Sequence, residues 1–335
     1  MKRKTLAGLS LLLLLGGCSK NNGLTNNFYE ELKVKAIVAK STQTKAIIYD
    51  DRFPEGAGIG VQLLKLTDGA AYSAKTNVLF TSDGAGNWSS TETYILNPLK
   101  AKVYGYYPYV SLADNSLPFT TIPVSITAKA GYNSDTDYMF ATPVESEASA
   151  VYNSNNTISL HMNHALAQIS MLVYKDNYNG DGNLTDFFIE DAIPGTGHIL
   201  INADPVDFTM DITNGLITGG VEGIIERNLS TPVVIGQASS DPKFPSDDLT
   251  ELKAQVLAKG VSTMVVPTST IGADEIKFSF VIDGNRYSVN NLSSITWEKG
   301  RQYIYTIRLS GTSLTISQVT IAQWETELAD DLIIY

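Results

Sequence analysis

From Glu275 to Ile282 an apolar residue recurs at every second position: Ile276, Phe278, Phe280 and Ile282. A period of two places all four on one face of an extended strand. Asp283-Gly284-Asn285 then supplies a tight turn into Arg286-Tyr287-Ser288-Val289, so the segment is expected to form a hairpin with that apolar face buried. The same short, alternating style returns along the chain, at Lys33–Val38, Ile59–Leu64, Asn77–Thr81, Lys102–Tyr109, Ile158–Met162, Ala167–Tyr174, Gln302–Leu309 and Ser313–Ile321, with Ile47-Ile48-Tyr49 as a further candidate. Glycine, asparagine and aspartate separate many of these runs, as at Ser82–Asn87 before Trp88. Strands at short intervals with few helices predict an all-β chain of antiparallel β-sandwiches, two by length. One short helix is expected in the second half. Ser246 is its candidate cap, Asp247 and Asp248 lie in the first turn, Leu249, Leu252 and Val256 lie along one side, and Gly260 is the stop.

The N-terminus is of a different kind. Lys2, Arg3 and Lys4 precede an apolar run from Leu6 to Leu15, and Leu15-Gly16-Gly17-Cys18 follows. A basic start, a short apolar stretch and small residues before a cut describe a secretory signal peptide, too short to remain as a membrane span. Leu-Gly-Gly-Cys resembles the bacterial lipobox, in which the cysteine is lipidated and becomes the mature N-terminus. Cys18 is the single cysteine of the 335 residues, so disulfides cannot hold the fold. Residues 1–17 are thus expected to be removed, and Ser19 to Gly23 to act as a polar tether. A hydrophobic content of 43% supplies real cores. A net charge of −11 with no basic cluster after the tether argues against nucleic-acid binding.

No motif amounts to a catalytic constellation. His161 and His164 are three apart, which on a strand places them on opposite faces and argues against a shared metal. His198 follows the Gly195-Thr196-Gly197 loop with no sequence neighbour suited to be its catalytic partner. Asn177, Asn179, Asp181 and Gly182 match the first positions of a calcium loop, but Phe188 stands where the bidentate glutamate is needed, so a polar turn is expected. The acid pairs Asp135/Asp137 and Glu145/Glu147 fit surface loops as well as a glycosidase. No catalytic residue, metal site or cofactor is expected.

Several segments together resemble the fimbrillins of Bacteroidetes, the subunits of type V pili. They include Phe53-Pro54-Glu55-Gly56-Ala57-Gly58-Ile59-Gly60-Val61, Val103-Tyr104-Gly105-Tyr106-Tyr107-Pro108-Tyr109, Asp137-Tyr138-Met139-Phe140-Ala141, His164-Ala165-Leu166-Ala167-Gln168-Ile169 and Trp297-Glu298-Lys299-Gly300-Arg301-Gln302-Tyr303. The resemblance implies two transthyretin-like β-sandwich domains, here placed at 46–164 and 165–335, after a signal peptide at 1–17 and a tether with a removable strand at 18–45. It implies export as a lipoprotein to the outer membrane. A surface protease specific for Arg or Lys then removes the first strand, here by cutting between Lys45 and Ala46, with Lys40 and Arg52 as alternatives. A C-terminal donor strand, here Leu328 to Tyr335 with Leu328, Leu332 and Ile334 as its apolar residues, fills the vacated groove of the next subunit. The implied partners are copies of itself or related pilins, the lipid anchor, the protease and a host or bacterial receptor, and the destination is an extracellular fimbrium. Val34, Ala36 and Val38 are the residues expected to enter the groove. The alternatives are an anchor or tip subunit, or a surface lipoprotein that binds glycan or another ligand through its loops.

Overall fold

A computed structural model of the chain describes residues 28–38, 53–114, 116–132, 135–142, 144–203 and 208–324. The fold is mostly β, with a single α-helix among those residues. The expected strand at Ile47–Tyr49 lies outside them.

The largest sheet has seven strands. In spatial order they are Lys33–Val38, Thr157–His164, Met139–Ala141, Ala101–Tyr107, Gly58–Lys65, Val78–Ser82 and Trp88–Ser89. Their inward residues, among them Ile59, Val61, Val103, Leu160 and Met162, form one core. Gly60 is placed by a close approach: a Cβ there would stand 2.2 Å from the Tyr106 ring. The neighbouring strand Ala101–Tyr107 therefore leaves no room for a larger residue at this position.

A second core lies between two five-stranded sheets. One contains Ala167–Lys175, Arg301–Ser310 and Ser313–Gln323; the other contains Asn285–Asn290, Ile276–Ile282, Asn183–Asp191 and Ile224–Val234. The expected hairpin is present. Ile276–Ile282 pairs antiparallel with Asn285–Asn290, and Ile276, Phe278, Phe280 and Ile282 are fully buried. Asp283 and Gly284 have φ of 49° and 77°, the left-handed pair that a two-residue hairpin turn requires. Most pairings are antiparallel, but Lys33–Val38 runs parallel to Thr157–Met162, and Ala167–Lys175 runs parallel to Arg301–Ser310.

Between these cores the chain crosses over. Thr121–Val124 pairs with Phe208–Asp211, and Lys129–Gly131 pairs with Ile224–Val234. A third apolar cluster forms there from Tyr106, Ile122, Phe140, Leu166, Phe208 and Trp324. Arg227 is fully buried at this crossing. Its Nε and Nη2 donate to Asp135 Oδ1 at 3.0 and 2.5 Å, and Asp135 Oδ2 accepts from Thr263 Oγ1 at 2.7 Å.

The helix spans Leu249–Lys259, and its cap corrects the expectation. Asp248, not Ser246, is the N-cap, accepting from the Glu251 amide at 3.0 Å. The Ser246 hydroxyl instead donates to Glu251 and accepts from the Asp248 amide, so it supports the cap from outside. Leu252 and Val256 are buried as expected, whereas Leu249 is 42% exposed. Gly260 closes the helix with its N–H on the Val256 carbonyl.

Candidate functional site

The strand Lys33–Val38 lies at one edge of the seven-stranded sheet, with Thr157–His164 as its ladder partner. Alternation decides its orientation. Val34, Ala36 and Val38 are buried, and Leu32 just ahead of them is buried too, while Lys33, Lys35 and Ile37 face outward. The buried residues join one apolar cluster with the register partners Ile158, Leu160 and Met162 and with Phe80, Tyr94 and Leu96, so the strand fills a groove in that core. Burial pushes the Tyr94 phenol up, and its hydroxyl donates to the Val61 carbonyl at 3.1 Å.

The entrance to this strand is hydrogen-bonded on both sides. The Leu32 amide donates to the Tyr94 carbonyl at 2.9 Å and the Lys33 amide to the Asn156 carbonyl at 2.8 Å. Thr93 Oγ1 donates to the Leu32 carbonyl and Asn156 Nδ2 to the Glu31 carbonyl. Glu30–Glu31 also pairs with Ile95–Leu96. One short segment thus closes two sheet edges and fills the groove between them. Each fully buried Leu or Val side chain contributes about 1.5–3 kcal/mol.

A second concave feature is a cleft of about 740 Å³ where the third apolar cluster, through Phe140, Ile217 and Trp324, meets Trp297 of the second core. Its wall includes His164, Trp297, Lys299, Arg301 and Trp324, and its rim includes Phe140 and Leu216. His164 and Trp324 stack with ring centroids 4.1 Å apart and planes 12° from parallel. The outer side of His164 is held by Asp137, with Nδ1 2.9 Å from Oδ2. Trp297 Nε1 donates to the Tyr305 hydroxyl at 3.0 Å. Lys299 reaches the Asn214 carbonyl and lies 5.0 Å from the centre of the Phe140 ring.

The residues weighed in the motif search go to separate places. His161 is exposed, whereas His164 is buried in the cleft wall. His198 contacts Glu275 at 2.9 Å and Thr268 at 3.4 Å. The Gly272 amide and then His198 hold the Glu275 carboxyl below its usual range. Burial pushes Asp191 up, while its carboxylate accepts from the His198 and Ile199 amides. The loop Asn177–Asn183 is tied by Asp283, which accepts from Gly182 and Asn183 amides and from the Tyr178 hydroxyl. Asp135 meets Arg227 and Asp137 meets His164. Glu145 accepts from the Tyr104 hydroxyl, and Glu147 pairs with Lys100. Among the described residues no group of three or more His, Cys, Asp or Glu could hold a metal.

Cys18, Lys40, Lys45, Ala46, Arg52, Leu328, Leu332 and Ile334 lie outside the described residues. Sequence reasoning missed Leu32, the His164–Trp324 stack and Arg227. Arg227 carried a usable signal: it alternates with Ile225 and Leu229, and a charge on an apolar face marks a buried ion pair.

Residues 44–324 match the family described as fimbrillin-like. No curated protein matches the chain. Among solved structures, a candidate cell adhesion protein from Bacteroides ovatus is similar at 13% identity and a TM-score of 0.62, over 89% of this chain and 99% of that one. A second, from Bacteroides uniformis, is similar at 17% identity and a TM-score of 0.59, over 88% and 99%. A fimbrial protein from Bacteroides vulgatus is similar at 14% identity and a TM-score of 0.52, over 88% and 99%. At such identities the likeness speaks to the fold.

Proposed function

This chain belongs to the fimbrillin-like family, and from that premise we propose that it is a structural pilin, exported as a lipoprotein through Cys18 and polymerised when its first strand is cut away and replaced. The coarser statement, a fimbrial or adhesion-related subunit at the cell surface that associates with other pilins, follows from the family itself. The observation that carries the finer reading is the strand Lys33–Val38. It is an edge strand, it fills a groove with Leu32, Val34, Ala36 and Val38, and the family match begins beyond it, at residue 44. Lys40, Lys45 and Arg52 lie between that strand and Gly58–Lys65, so a protease specific for Lys or Arg has its target there.

Removal would open a groove whose backbone ladder and apolar floor are already shaped for an alternating strand. A strand supplied by another chain satisfies both, with ladder hydrogen bonds giving affinity and side-chain alternation giving register. Repeated head to tail, that contact does not close and grows a filament. Leu328 to Tyr335 is the donor in this reading. The division into sandwiches at 46–164 and 165–335, an outer-membrane lipid anchor before processing, and a non-enzymatic role belong to the same proposal. Adhesion to a host or bacterial receptor would be a property of the assembled fimbrium.

The test is limited trypsin digestion of the mature chain, with cutting at Lys45 verified by mass spectrometry, followed by electron microscopy. Ordered polymers from the cut chain, and none from a cut chain lacking 328–335, are the expected pair of results. Equal polymerisation of both overturns the donor assignment. A verified cut with no polymer from either replaces the stalk role with that of an anchor or tip.

A further inference from the structure

The polar loop between Ala167–Lys175 and Asn183–Asp191 carries an asparagine followed by glycine, Asn179-Gly180, and a second such pair stands at Asn214-Gly215. We propose that Asn179 is a site of spontaneous covalent modification, closing to a succinimide and opening to isoaspartate, and that the fold protects Asn214 from the same reaction. The inference does not rest on strand exchange.

The reaction needs only water. Solvent base takes the Gly180 amide proton, the nitrogen attacks Asn179 Cγ, and the Cγ–Nδ2 bond breaks with loss of ammonia. Water then adds to one of the two imide carbonyls. The ring opens to isoaspartate, in which the main chain runs through the former side chain, or to aspartate. Either product adds one negative charge beside Asp181 and Asp283. Glycine in second place favours the attack because it has no Cβ to crowd it.

Two observations carry the proposal. First, the loop is pinned around the pair while its reacting atoms are left open. The Tyr178 hydroxyl and the Gly182 amide both donate to Asp283 Oδ2 at 2.8 Å, and Lys175 Nζ donates to the Gly180 and Asp181 carbonyls at 3.2 and 3.1 Å. Asn179 is exposed, and among the described residues nothing hydrogen-bonds its side chain or the Gly180 amide. The nucleophile therefore has no bond to give up, and none holds the Asn179 side chain away from it. The packing also requires the glycine. A Cβ at position 180 would stand 2.4 Å from Asp283 Oδ2 and 2.5 Å from the Tyr178 ring, and the hydrogen bond between those two side chains fixes both. A larger residue that would block the reaction has no room there.

Second, Asn214-Gly215 is the same dipeptide in the opposite condition. The Gly215 amide donates to the Asp211 carbonyl at 2.7 Å. Asn214 Nδ2 donates to Asp211 Oδ2 at 3.0 Å, and its Oδ1 accepts from the Leu216 amide at 2.7 Å. The nucleophile is engaged and Cγ is held through both of its heteroatoms, so these bonds must break before attack. Asn214 is exposed like Asn179, so access to solvent does not separate the two sites. What separates them is the freedom of the reacting atoms to reach attack geometry.

The test incubates the full mature chain in mildly alkaline buffer and follows both sites by mass spectrometry. Chymotrypsin separates them at Phe187 and Phe188. Isoaspartate is assigned by electron-transfer fragmentation and by labelling with isoaspartyl methyltransferase. In the folded chain the Asn179 peptide should convert several-fold faster than the Asn214 peptide, with isoaspartate among its products. In urea the two should convert at similar rates, because there the hydrogen bonds of Asp211 are gone. Asn179→Gln should remove the early methyltransferase signal. A folded chain in which Asn179 stays intact, or in which Asn214 keeps pace with it, overturns the proposal. So does an Asn214 that resists even in urea, since sequence and not fold would then explain the difference, and so does an early signal that survives Asn179→Gln.

Discussion

Lys33–Val38 and Ser313–Gln323 are both edge strands, but they are tied in opposite ways. Ser313–Gln323 is joined to Arg301–Ser310 by a tight turn and pairs with it antiparallel along nearly its whole length, with one bulge at Thr306/Ile307. Its partner is the element immediately before it in the chain, so closing that hairpin costs little loop entropy. Lys33–Val38 pairs parallel with a strand 124 positions away, from Lys33 to Thr157, and no turn links the two. Its attachment resembles the binding of a peptide, held by a ladder on one side and by Leu32, Val34, Ala36 and Val38 below. The difference teaches that the two edges are attached differently: one is continuous with its neighbour through a turn, whereas the other is held by its ladder and its buried side chains alone.

The largest test of this contrast is Ile316→Ala. Ile316 is buried opposite Ile307 in the integral strand. Its loss should cost about 2–5 kcal/mol in urea-induced unfolding, as core truncations of Ile do. Val34→Ala should cost less, about 1–2 kcal/mol. Its effect should also appear as faster exchange of the amides of residues 33–38 before it appears in the global transition. Equal effects of the two variants on the same global transition would erase the contrast.

The contrast was half legible in the sequence. Period-two alternation identified both strands and placed Val34, Ala36 and Val38 inward, because a half-buried strand has no other way to sort its side chains. It also gave the Ile276–Ile282 hairpin, whose Asp-Gly turn is local chemistry. Partnership was not legible. Nothing between Lys33 and Thr157 announces that these residues pair, or that they run parallel, because register across a long separation is set by the whole core. The cleft escaped for the same reason: His164, Leu216, Lys299 and Trp324 are far apart in the chain and meet only in the folded molecule. The helix cap was missed by two residues because Ser246, Asp247 and Asp248 are all good caps, and the helix start chose among them.

Acid offers a local probe of the second core. Asp283 is held below its ordinary value of 3.8 chiefly by the amides of Gly182 and then Asn183. A depressed carboxyl contributes stability above its unfolded value, and that contribution is lost as pH falls through the lower folded value. The amide resonances of Gly182 and Asn183 should therefore move with a midpoint below 3.8 in an NMR titration, while those of residues 33–38 stay still over that step. A midpoint above 3.8 would contradict the hydrogen bonds drawn here.

The smallest effect is expected at Ile37, which is 37% exposed on the outward face of the first strand. Ile37→Ser should change global stability by no more than about 0.5 kcal/mol, as surface substitutions usually do. A larger loss in denaturant unfolding would mean that both faces of the strand are held and that it is not a simple edge.

The central claim is that Lys33–Val38 opens independently of the cores, and native-state hydrogen exchange on the uncut mature chain measures it directly. Exchange of the Lys33, Lys35 and Ile37 amides, which face the ladder with Thr157–His164, should proceed through an opening whose free energy lies well below that of global unfolding and depends little on denaturant. Amides of Thr306 and Ile307, in the central strand Arg301–Ser310, should exchange only through the global event. If all of these amides share one opening free energy and one denaturant dependence, the first strand is an integral part of its core and the account fails.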